Sequence, residues 1–410
     1  MRASSCVFLL FLFSITLPAQ EVVRDLVAYY SFDDCIDLGK DDSGNNASGT
    51  IVGNPECVCG VSGNAILLDG ENDYLQFLGT IGNKFSTVDI TISLFIKPTQ
   101  PLGTQVILSK QDACTVDRSF TMNFSASSNS ISTELSQNAM RSAEVTGTLD
   151  PNPCWYHIVF IRRGNRSQLF IDGVLMDEVS AESRVNVESL ENSVFSLGDG
   201  KCVNLDARRF AGLVDELKVY ERALRVEEVL ALNLRPDRIA NEDAVIFLGS
   251  SVDIALGKTC ADQFDWTPRM GIEDPTTAEP IITPTSEGVF TYEVSLSDQF
   301  CAATDTIQIT VIDPEALPCS AQLPSAFTPN GDGRNDTYGI SNSVVLEDKL
   351  ITFEIFDRWG GRIFTTTNPN EKWDGTFNNK ELNPGVLLYR VRYLCGEEEK
   401  IDMGSLTLLR

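Results

Sequence analysis

A dense group of oxygen-bearing side chains lies in the turn from Phe327 to Asp336. The turn reads Phe-Thr-Pro-Asn-Gly-Asp-Gly-Arg-Asn-Asp, and its glycines permit a tight backbone. Carboxylate and amide oxygens suit a hard cation such as calcium. The same oxygens can instead bond the local backbone in Asx turns, so both interpretations stay open. The calcium candidates here, weaker than those described below, are Asn330, Asp332 and Asp336.

Paired carboxyl groups could hydrolyse a glycosidic bond, because the retaining mechanism uses two carboxyls about 5 Å apart. Alternate residues of a strand point the same way, which favours acids at positions i and i+2. The nearest match is Glu71-Asn-Asp73, but Gln76 stands where a further acid would complete the pattern. Asp215 and Glu216 are adjacent, which predicts opposite faces of a strand.

Nucleophilic catalysis assisted by histidine would have to use His157, the only histidine in the sequence. It lies within Trp155-Tyr-His-Ile158, a pattern typical of a buried strand. We therefore predict no catalytic residues and a protein that is not an enzyme. A glycoside hydrolase or lyase with an unfamiliar acid pair is the alternative.

Cysteine usage predicts disulfides. Eleven cysteines are present, and ten remain when Cys6 is removed with the N-terminal signal described below. An even number in an exported chain favours complete pairing. Cys57-Val-Cys59 does not have the spacing of a zinc knuckle, so metal and redox chemistry are disfavoured.

Two pairings are predicted because each would close a loop inside one predicted domain. They are Cys260 with Cys301, and Cys319 with Cys395. The six other cysteines allow fifteen connectivities. Proximity in sequence favours Cys35 with Cys57 or Cys59, and the remaining pairings stay open.

The N-terminus has the pattern of a secretory signal peptide over residues 1–19. Met1-Arg2 is positively charged, Val7 to Leu17 is apolar, and Ala19 is a small residue suited to cleavage. The apolar run is too short to cross a bilayer, which takes about 20 residues. No later segment is apolar enough, so we expect no transmembrane segment.

Net charge excludes one class of partner. The chain has 58 acidic and 32 basic residues and a formal charge of −26. Such a chain repels phosphate backbones, so we expect no nucleic-acid partner. The acidity fits simple solvation, and it also fits calcium-dependent structure outside the cell.

Proline-containing hinges divide the chain into three predicted domains. Arg235-Pro-Asp-Arg238 and the segment from Asp313 to Pro318 separate blocks at 22–234, 241–312 and 319–410. One helix is predicted at Arg222–Leu232. Short strands separated by turns dominate the first block, which is typical of a β-sandwich. They are Leu26–Phe32, Ala65–Leu68, Tyr74–Phe77, Ile90–Ile96, Val106–Ser109, Phe120–Phe124, Ile158–Ile161, Gln168–Ile171, Phe195–Leu197 and Val214–Tyr220.

Phrases of the first block resemble the laminin G-like, concanavalin A-like family. They include Tyr29-Tyr-Ser-Phe-Asp33, Ile66-Leu-Leu-Asp-Gly70, Ile90-Thr-Ile-Ser-Leu-Phe-Ile-Lys-Pro98, Leu169-Phe-Ile-Asp-Gly173 and Phe210-Ala-Gly-Leu-Val-Asp-Glu-Leu-Lys-Val-Tyr220. The resemblance implies a jelly roll, a fold that serves lectins, adhesion modules and glycoside hydrolases alike.

The same resemblance implies a structural calcium ion, since many relatives hold one in acidic loops. The candidates are Asp42, Asn45 and Asp215, with Asp69 as a weaker fourth. The alternative is that Asp42 belongs to a turn and Asp215 bonds the backbone. The aromatic residues of the block fall at core positions, which weakens a lectin function that needs a stacking platform.

The second block places Trp266 between Cys260 and Cys301 in alternating strands, and it resembles PKD-type, Ig-like domains. That resemblance implies a spacer. The last block contains four motifs: the turn at 327–336, Phe356-Asp-Arg-Trp-Gly-Gly361, Lys372-Trp-Asp-Gly-Thr376 and Pro384-Gly-Val-Leu-Leu-Tyr389. Together they resemble the type B, gliding motility-associated C-terminal sorting domain.

The sorting domain implies export through the type IX secretion machinery, by way of the periplasm, to the medium or the outer cell surface. We therefore expect an all-β protein: a concanavalin A-like jelly-roll sandwich followed by two Ig-like β-sandwiches. Its expected function is non-catalytic binding of a glycan or an extracellular protein, or else a structural part of a surface coat.

Overall fold

A computed structural model describes residues 23–77, 81, 88–100, 102–188, 194–317, 319–331, 334–378 and 380–410. The predicted signal peptide at 1–19 and Asp332 lie outside the described residues. The chain divides into two compact units. The first contains Met1–Glu242, Asp253–Ile282 and Thr291–Ile307, and the second contains Asp243–Val252, Thr283–Phe290 and Gln308–Arg410. The predicted boundaries 22–234, 241–312 and 319–410 stay a prediction.

Two eight-stranded sheets form a sandwich in the first unit. Sheet A has the order β13-β12-β11-β6-β16-β4-β3, with β1 paired to β16. Its strands are β1 Leu26–Tyr30, β3 Glu56–Cys59, β4 Asn64–Asp69, β6 Ile90–Pro98, β11 Tyr156–Arg163, β12 Arg166–Ile171, β13 Val174–Ser180 and β16 Ala211–Tyr220.

Sheet B has the order β10-β9-β8-β7-β14-β5-β2, with β15 paired to β7. Its strands are β2 Gly49–Val52, β5 Tyr74–Phe77, β7 Thr104–Gln111, β8 Ser119–Ser125, β9 Ser130–Asn138, β10 Arg141–Thr148, β14 Val194–Leu197 and β15 Arg208–Arg209. Strands β9 and β10 were not among the predicted strands, because core-facing positions such as Thr133, Ala143 and Gly147 hold small or polar residues, so their apolar alternation is weak.

The alternation of side chains explains how the sandwich closes. In β8, Phe120, Met122 and Phe124 point into the shared core, while the residues between them point outward. Ile92, Leu94 and Ile96 of β6 enter the same core from sheet A. Full burial of each such side chain contributes about 1.5–3 kcal/mol. The predicted all-β class and jelly-roll sandwich are confirmed.

A short helix, α1 Val226–Leu232, covers part of the outer face of sheet A. It begins later than predicted, because Arg225 occupies the N-cap position and its N–H donates to the Glu228 carboxylate at 2.8 Å. The bonds from the Arg222 guanidinium, with those from Arg225, lower the pKa of Glu228 to about 2. Val229 and Leu232 pack on outward side chains of the sheet. Those side chains are Val159, Ile161, Phe170 and Tyr220.

Another part of this outer face lies against segments 253–282 and 291–307 of the same unit. Lys97 of β6 is 2% exposed and its ammonium pairs with Asp298. The rings of Trp155 and Phe300 each lie 5.9 Å from the Lys97 nitrogen. Loss of one partner from a buried ion pair typically costs about 3–5 kcal/mol, so this contact holds the covering segment to the sheet.

Two disulfides fix the same segments to the jelly roll, and they correct the predicted pairing of Cys260 with Cys301. Cys59 bonds Cys260, and Cys154 bonds Cys301. Closeness in sequence was a poor guide, because the segments carrying Cys260 and Cys301 belong to the jelly-roll unit. Trp266 is buried, but no bridge between Cys260 and Cys301 accompanies it as the Ig-like pattern required.

The other three disulfides lie within single predicted blocks. Cys319–Cys395 confirms its prediction, and Cys35–Cys57 is one of the two favoured options. Cys114–Cys202, which the sequence left open, joins two loops beside sheet B.

The second predicted block forms a four-stranded sheet of order β17-β22-β21-β19 and a two-stranded pair of β18 and β20. Its residues are divided between the two compact units. The strands are β17 Ala244–Phe247, β18 Val252–Asp253, β19 Gln263–Thr267, β20 Ile281–Ile282, β21 Gly288–Ser297 and β22 Ala302–Ile312.

The end of the chain forms a five-stranded sheet of order β23-β29-β28-β24-β25, and β26 pairs with β27. One face of the larger sheet packs on a core that includes Phe327, Tyr338, Phe353 and Trp373. The strands are β23 Ala326–Phe327, β24 Leu350–Phe356, β25 Arg362–Thr366, β26 Thr376–Phe377, β27 Lys380–Glu381, β28 Gly385–Cys395 and β29 Glu398–Leu408. Short 3-10 helices lie at Pro314–Ala316 and Ser343–Leu346.

Proteolysis of the unreduced protein should release peptides that join Cys59 to Cys260 and Cys154 to Cys301. The reason is that each pair of Cα atoms is 5.9 Å apart, within the range of a disulfide. Mass spectrometry of the peptides before and after reduction is the measurement. The Cys319–Cys395 peptide is an internal control, and a peptide joining Cys260 to Cys301 would contradict the fold.

Candidate functional site

A groove of about 330 Å³ lies on the outer face of sheet B. Three neighbouring strands build its floor, because Thr121 of β8 lies opposite Ser109 of β7 and Glu134 of β9. Asn123 follows Thr121 on the same face. The residues lining the groove are Thr104, Val106, Gln111, Cys114, Thr115, Val116, Ser119, Thr121, Asn123, Glu134, Cys202, Asp206 and Ala207.

Loops fixed by a disulfide form one wall of this groove. Cys114 and Cys202 are bonded to each other and both line it. The Gln111 side-chain oxygen accepts the backbone N–H of Lys201 at 3.3 Å. The Ser109 hydroxyl donates to the carbonyl of Asp199 at 2.6 Å. Hydroxyl, amide and carboxyl groups are therefore held on a rigid frame, as a selective polar site requires.

The groove is acidic. Burial, and then the nearby charge of Glu144 on β10, raise the pKa of the half-buried Glu134 carboxyl. Asp206 adds a second acid, and no lysine, arginine or aromatic residue is among the described residues that line the groove. This composition suits a neutral, hydroxyl-rich ligand better than an anionic one, since an anion would face Glu134 without a compensating cation.

His157 is part of the packing of sheet A. It is fully buried on the outer face of sheet A, its ring stacks on Phe95, and its Nε2 lies 2.8 Å from the Ser93 hydroxyl. Asp172 accepts the backbone N–H of His157 rather than a ring N–H. Burial and the charge of Lys218 lower the pKa of His157 to about 3, so the ring is neutral and a weak base. The residue packs the sheet.

The acids near Glu71 build a turn. The Asp69 carboxylate accepts backbone N–H groups from Glu71, Asn72 and Asp73 at 2.8–3.0 Å. The Asp73 carboxylate accepts the N–H of Asn54 at 2.7 Å. These bonds engage Asp69 and Asp73 in loop structure.

A β-bulge changes the interpretation of Asp215 and Glu216. The pairing of β16 with β6 shifts between Asp215 and Lys218, and Glu216 adopts φ +52°. Simple alternation therefore fails at this point. Both acids are buried, and the Glu216 carboxylate accepts the Tyr29 hydroxyl at 2.6 Å and pairs with Lys218 at 2.5 Å.

Asp215 bonds the backbone of the loop that contains Ser62. Its carboxylate accepts N–H groups from Ser62 at 3.1 Å and from Glu216 at 2.7 Å. The pKa of Asp215 is raised to about 8, mainly by burial. The bond from Ser62 acts in the opposite direction, and the charge of Glu216 adds to the increase. The alternative interpretation of Asp215, bonding to backbone, agrees with these contacts.

The other jelly-roll calcium candidates also have protein partners. The Asp42 carboxylate accepts the Ser31 hydroxyl at 2.6 Å and pairs with Lys40 at 3.0 Å. The Asn45 amide donates to the carbonyls of Leu26 and Val27. No cluster of three acidic, cysteine or histidine side chains suited to a metal occurs in the described residues. Calcium binding by Asp42, Asn45 and Asp215 stays a prediction.

The turn at 327–336 is organised by its own side chains. Asp336 accepts the backbone N–H groups of Asn330 and Gly331 at 2.9 and 2.7 Å. Thr328 donates its N–H to the carbonyl of Asn335 at 2.9 Å. These bonds match the Asx-turn interpretation. Since Asp332 lies outside the described residues, calcium binding there also stays a prediction.

Two features escaped the sequence interpretation. Asp41, beside the candidate Asp42, accepts N–H groups from Tyr29, Ser43 and Ala47 and so organises its loop. The groove was missed altogether, although Ser119-Phe-Thr-Met-Asn-Phe124 alternates polar and large apolar residues. That alternation marks an outward polar face, but the groove also needs the register of β7 and β9 and the distant loop at Cys202, which local pattern does not predict.

The buried Asp215 predicts how stability depends on pH. Its folded-state pKa of about 8 lies above the ordinary value of 3.8, so between these values the folded protein holds a proton that the unfolded chain has lost. The contribution of Asp215 to the free energy of unfolding is fully present below pH 4. It falls as the pH rises towards 8, by up to about 1.4 kcal/mol per pH unit. Denaturant unfolding from pH 5 to pH 8 should show a steeper decline for the unmodified chain than for Asp215→Asn. Equal slopes would contradict this assignment.

Comparisons with known proteins identify two domains. A family model described as the concanavalin A-like lectin/glucanases superfamily matches residues 69–230. A model of the CHU_C type IX secretion signal domain matches residues 321–408. No helix among the described residues is long and apolar enough to cross a membrane. No match was found among curated proteins.

Solved structures show a general likeness. Domain 4 of AbnA, a GH43 extracellular arabinanase from Geobacillus stearothermophilus in complex with arabinotriose, is 23% identical, with 51% of this chain and 98% of that chain covered and a TM-score of 0.39. The CBM40 of the Ruminococcus gnavus IT-sialidase, bound to alpha2,3 sialyllactose, is 18% identical over 36% and 83% of the two chains, with a TM-score of 0.31.

The binding domain of botulinum neurotoxin serotype D/C is 9% identical over 94% of each chain, with a TM-score of 0.44. Likeness at this level assigns no ligand to the present chain. The family matches do show a concanavalin A-like domain followed by a type IX secretion signal, and this signal indicates export to the cell surface or the medium.

Proposed function

We propose that this protein is an exported, non-catalytic binding protein whose jelly roll holds a neutral glycan in the groove on sheet B. The observation that carries the proposal is the groove itself, in which Thr121, Asn123 and Glu134 of adjacent strands converge beside the Cys114–Cys202 wall. Strands position side chains more precisely than loops do, which suits recognition of hydroxyl groups.

Burial favours sheet B over sheet A as the ligand-bearing face. On the outer face of sheet A, Ser93, Phe95 and Lys97 are each 2% exposed, and His157 is wholly buried. A ligand could reach those residues only by displacing the segments that cover them. The outward residues Thr121, Asn123 and Glu134 of sheet B remain partly exposed.

The chemistry of the groove favours a neutral glycan over an anionic one. Its lining supplies hydroxyl and amide groups that both donate and accept, as sugar hydroxyls do. Glu134 adds a carboxyl that can accept from a hydroxyl or pair with an amino group. Since no aromatic residue lines the described groove, affinity would come from hydrogen bonds and shape rather than ring stacking.

A binding protein fits these residues better than an enzyme. The buried His157 is unsuited to proton transfer, and the acids Asp69 and Asp73 stabilise a turn. A glycoside hydrolase or lyase remains the second candidate, because Glu134 and Glu144 lie opposite each other on β9 and β10. A purely structural surface component is the third. The PKD-type spacer role of the second block also stays a proposal. The Cys59–Cys260 and Cys154–Cys301 disulfides limit how far this block could move from the jelly roll.

Substitution in the groove should weaken glycan binding while the fold persists. Asn123→Ala removes a donor and an acceptor, and we expect its affinity to fall about tenfold, which corresponds to one good hydrogen bond. Calorimetry on the full chain with neutral, amino-bearing and anionic polysaccharides is the measurement. Thr50→Ala, exposed on the distant edge strand β2 of the same sheet, is the matched control and should bind normally.

Four outcomes distinguish the candidates. Binding of neutral or amino glycans that Asn123→Ala weakens supports the proposal, and binding of anionic glycans alone contradicts it. Shortening of the polysaccharide that Glu134→Gln abolishes would establish the hydrolase instead. If no polysaccharide binds, the structural role replaces the binding role.

Export should depend on the last block. We expect a chain that ends before Ala321 to remain folded in the periplasm, because it lacks the matched secretion signal at 321–408. Fractionation of cells and medium, followed by immunoblotting, is the measurement, and the full chain is the control. Appearance of the shortened chain in the medium would exclude the signal as the export determinant.

A further inference from the structure

The five-stranded sheet near the C-terminus leaves one face open. Its inner face packs on the core that contains Phe353 and Trp373. On the other face, Val386 is 56% exposed, Leu388 48% and Met403 73%. These residues alternate with core residues along β28 and β29, so the same strands are apolar on both faces. An open apolar face of this kind marks an interaction surface.

A rigid turn that follows β24 carries an exposed tryptophan. Trp359, in the turn between β24 and β25, is 87% exposed. The Asp357 carboxylate accepts the N–H groups of Trp359 and Gly361, each at 2.8 Å. Since the turn is fixed by these bonds, the exposed indole would lose little backbone freedom on binding. Tryptophan is the residue most enriched where a few side chains dominate an interface.

The turn that carries Trp359 adjoins the apolar strands. Phe356, at the end of β24, lies opposite Leu388. Arg358 of the turn lies close to Gly385 at the start of β28, since a Cβ added to Gly385 would be 3.7 Å from the Arg358 guanidinium. Leu388 and Met403 are diagonal neighbours across β28 and β29. We name this surface the tryptophan patch, and it consists of Phe356, Trp359, Val386, Leu388 and Met403.

Positive charge borders the tryptophan patch. Arg362 and Arg390 both bond Glu354, and Arg392 bonds Glu399. Three guanidinium groups thus share two carboxylates, which leaves one positive charge in excess on this face. The Arg390 guanidinium also lies over the Phe356 ring at 5.5 Å. In a chain of net charge −26, this face is locally positive.

We propose that the tryptophan patch docks onto a protein of the export machinery whose surface is apolar at its centre and acidic at its rim. The proposal rests on the export function above and names the surface that serves it. Charge favours this occupant over a second copy, since two copies facing each other would bring their excess positive charges together. The matched secretion signal contains every residue of the patch.

Substitutions in the full chain test the patch. We expect Trp359→Ala and Leu388→Ser to lower the exported fraction at least about tenfold, as loss of a dominant interface residue does. Both proteins should accumulate in the periplasm with unchanged melting temperatures. Phe377→Ala, on the two-stranded ribbon and 39% exposed, is the matched control and should be exported normally.

A charge pair at Met403 tests the chemistry of the partner without removing a packed side chain. Met403 lies opposite Arg390, at the charged border of the patch. Met403→Glu should be retained in the periplasm, because its carboxylate would neutralise Arg390 and face the partner's acidic rim, whereas Met403→Lys should be exported. If Met403→Glu and Met403→Lys are exported equally, the docking proposal is wrong. It is also wrong if Trp359→Ala is exported as well as the unmodified chain.

Sedimentation of the full chain measures self-association. A dimer that Trp359→Ala dissociates would show that the patch binds a second copy of this chain instead. If the chain that ends before Ala321 is still exported, the export function fails, whatever these variants do. If that chain is retained while the patch variants are exported normally, export stands and only the docking surface is wrong.

Discussion

The structure depends on one requirement, which is that sheet A must be covered on both faces. Its strands β6 and β11 bury the residues on each side, from Ile92 in the sandwich core to Phe95 and His157 on the outside. An outward face of this composition cannot remain in water without a large loss of stability. Helix α1 covers one part of it, and segments 253–282 and 291–307 belong to the same compact unit. The Cys59–Cys260 and Cys154–Cys301 bridges make that cover permanent in an oxidising environment.

Coverage of sheet A explains both the buried polar groups and the location of the candidate site. Lys97 finds Asp298, and His157 stays neutral against Ser93, because each lies where solvent is excluded. In the described part of the chain, Thr121, Asn123 and Glu134 of sheet B remain partly exposed, so this polar outer face can receive a ligand. Sheet A therefore packs against the covering segments, and sheet B carries the groove.

Sequence reasoning succeeded where local pattern determines structure. The strand predicted at Ile90–Ile96 is observed as Ile90–Pro98, and the aromatic Trp155 is buried as its core position implied. It failed where distant partners decide. Strand β9 was missed, and with it Glu134, because the apolar residues of β9 are spaced by serine and threonine. Cys260 was assigned to Cys301 by closeness in sequence, and the bulge at Glu216 cannot be inferred from alternation. The groove requires the register of three strands, which no single segment contains.

The two functional surfaces inferred here have one feature in common, since each is a sheet face that stays at least partly exposed among the described residues. Hydrogen–deuterium exchange of the full chain, with and without a neutral polysaccharide that binds it, tests the central assignment most directly. The account predicts new protection in β8 and β9, around Thr121 and Glu134, with no change in β6 and β11. Protection confined to 253–307 or to the five-stranded sheet, with β8 and β9 unaffected, would contradict it.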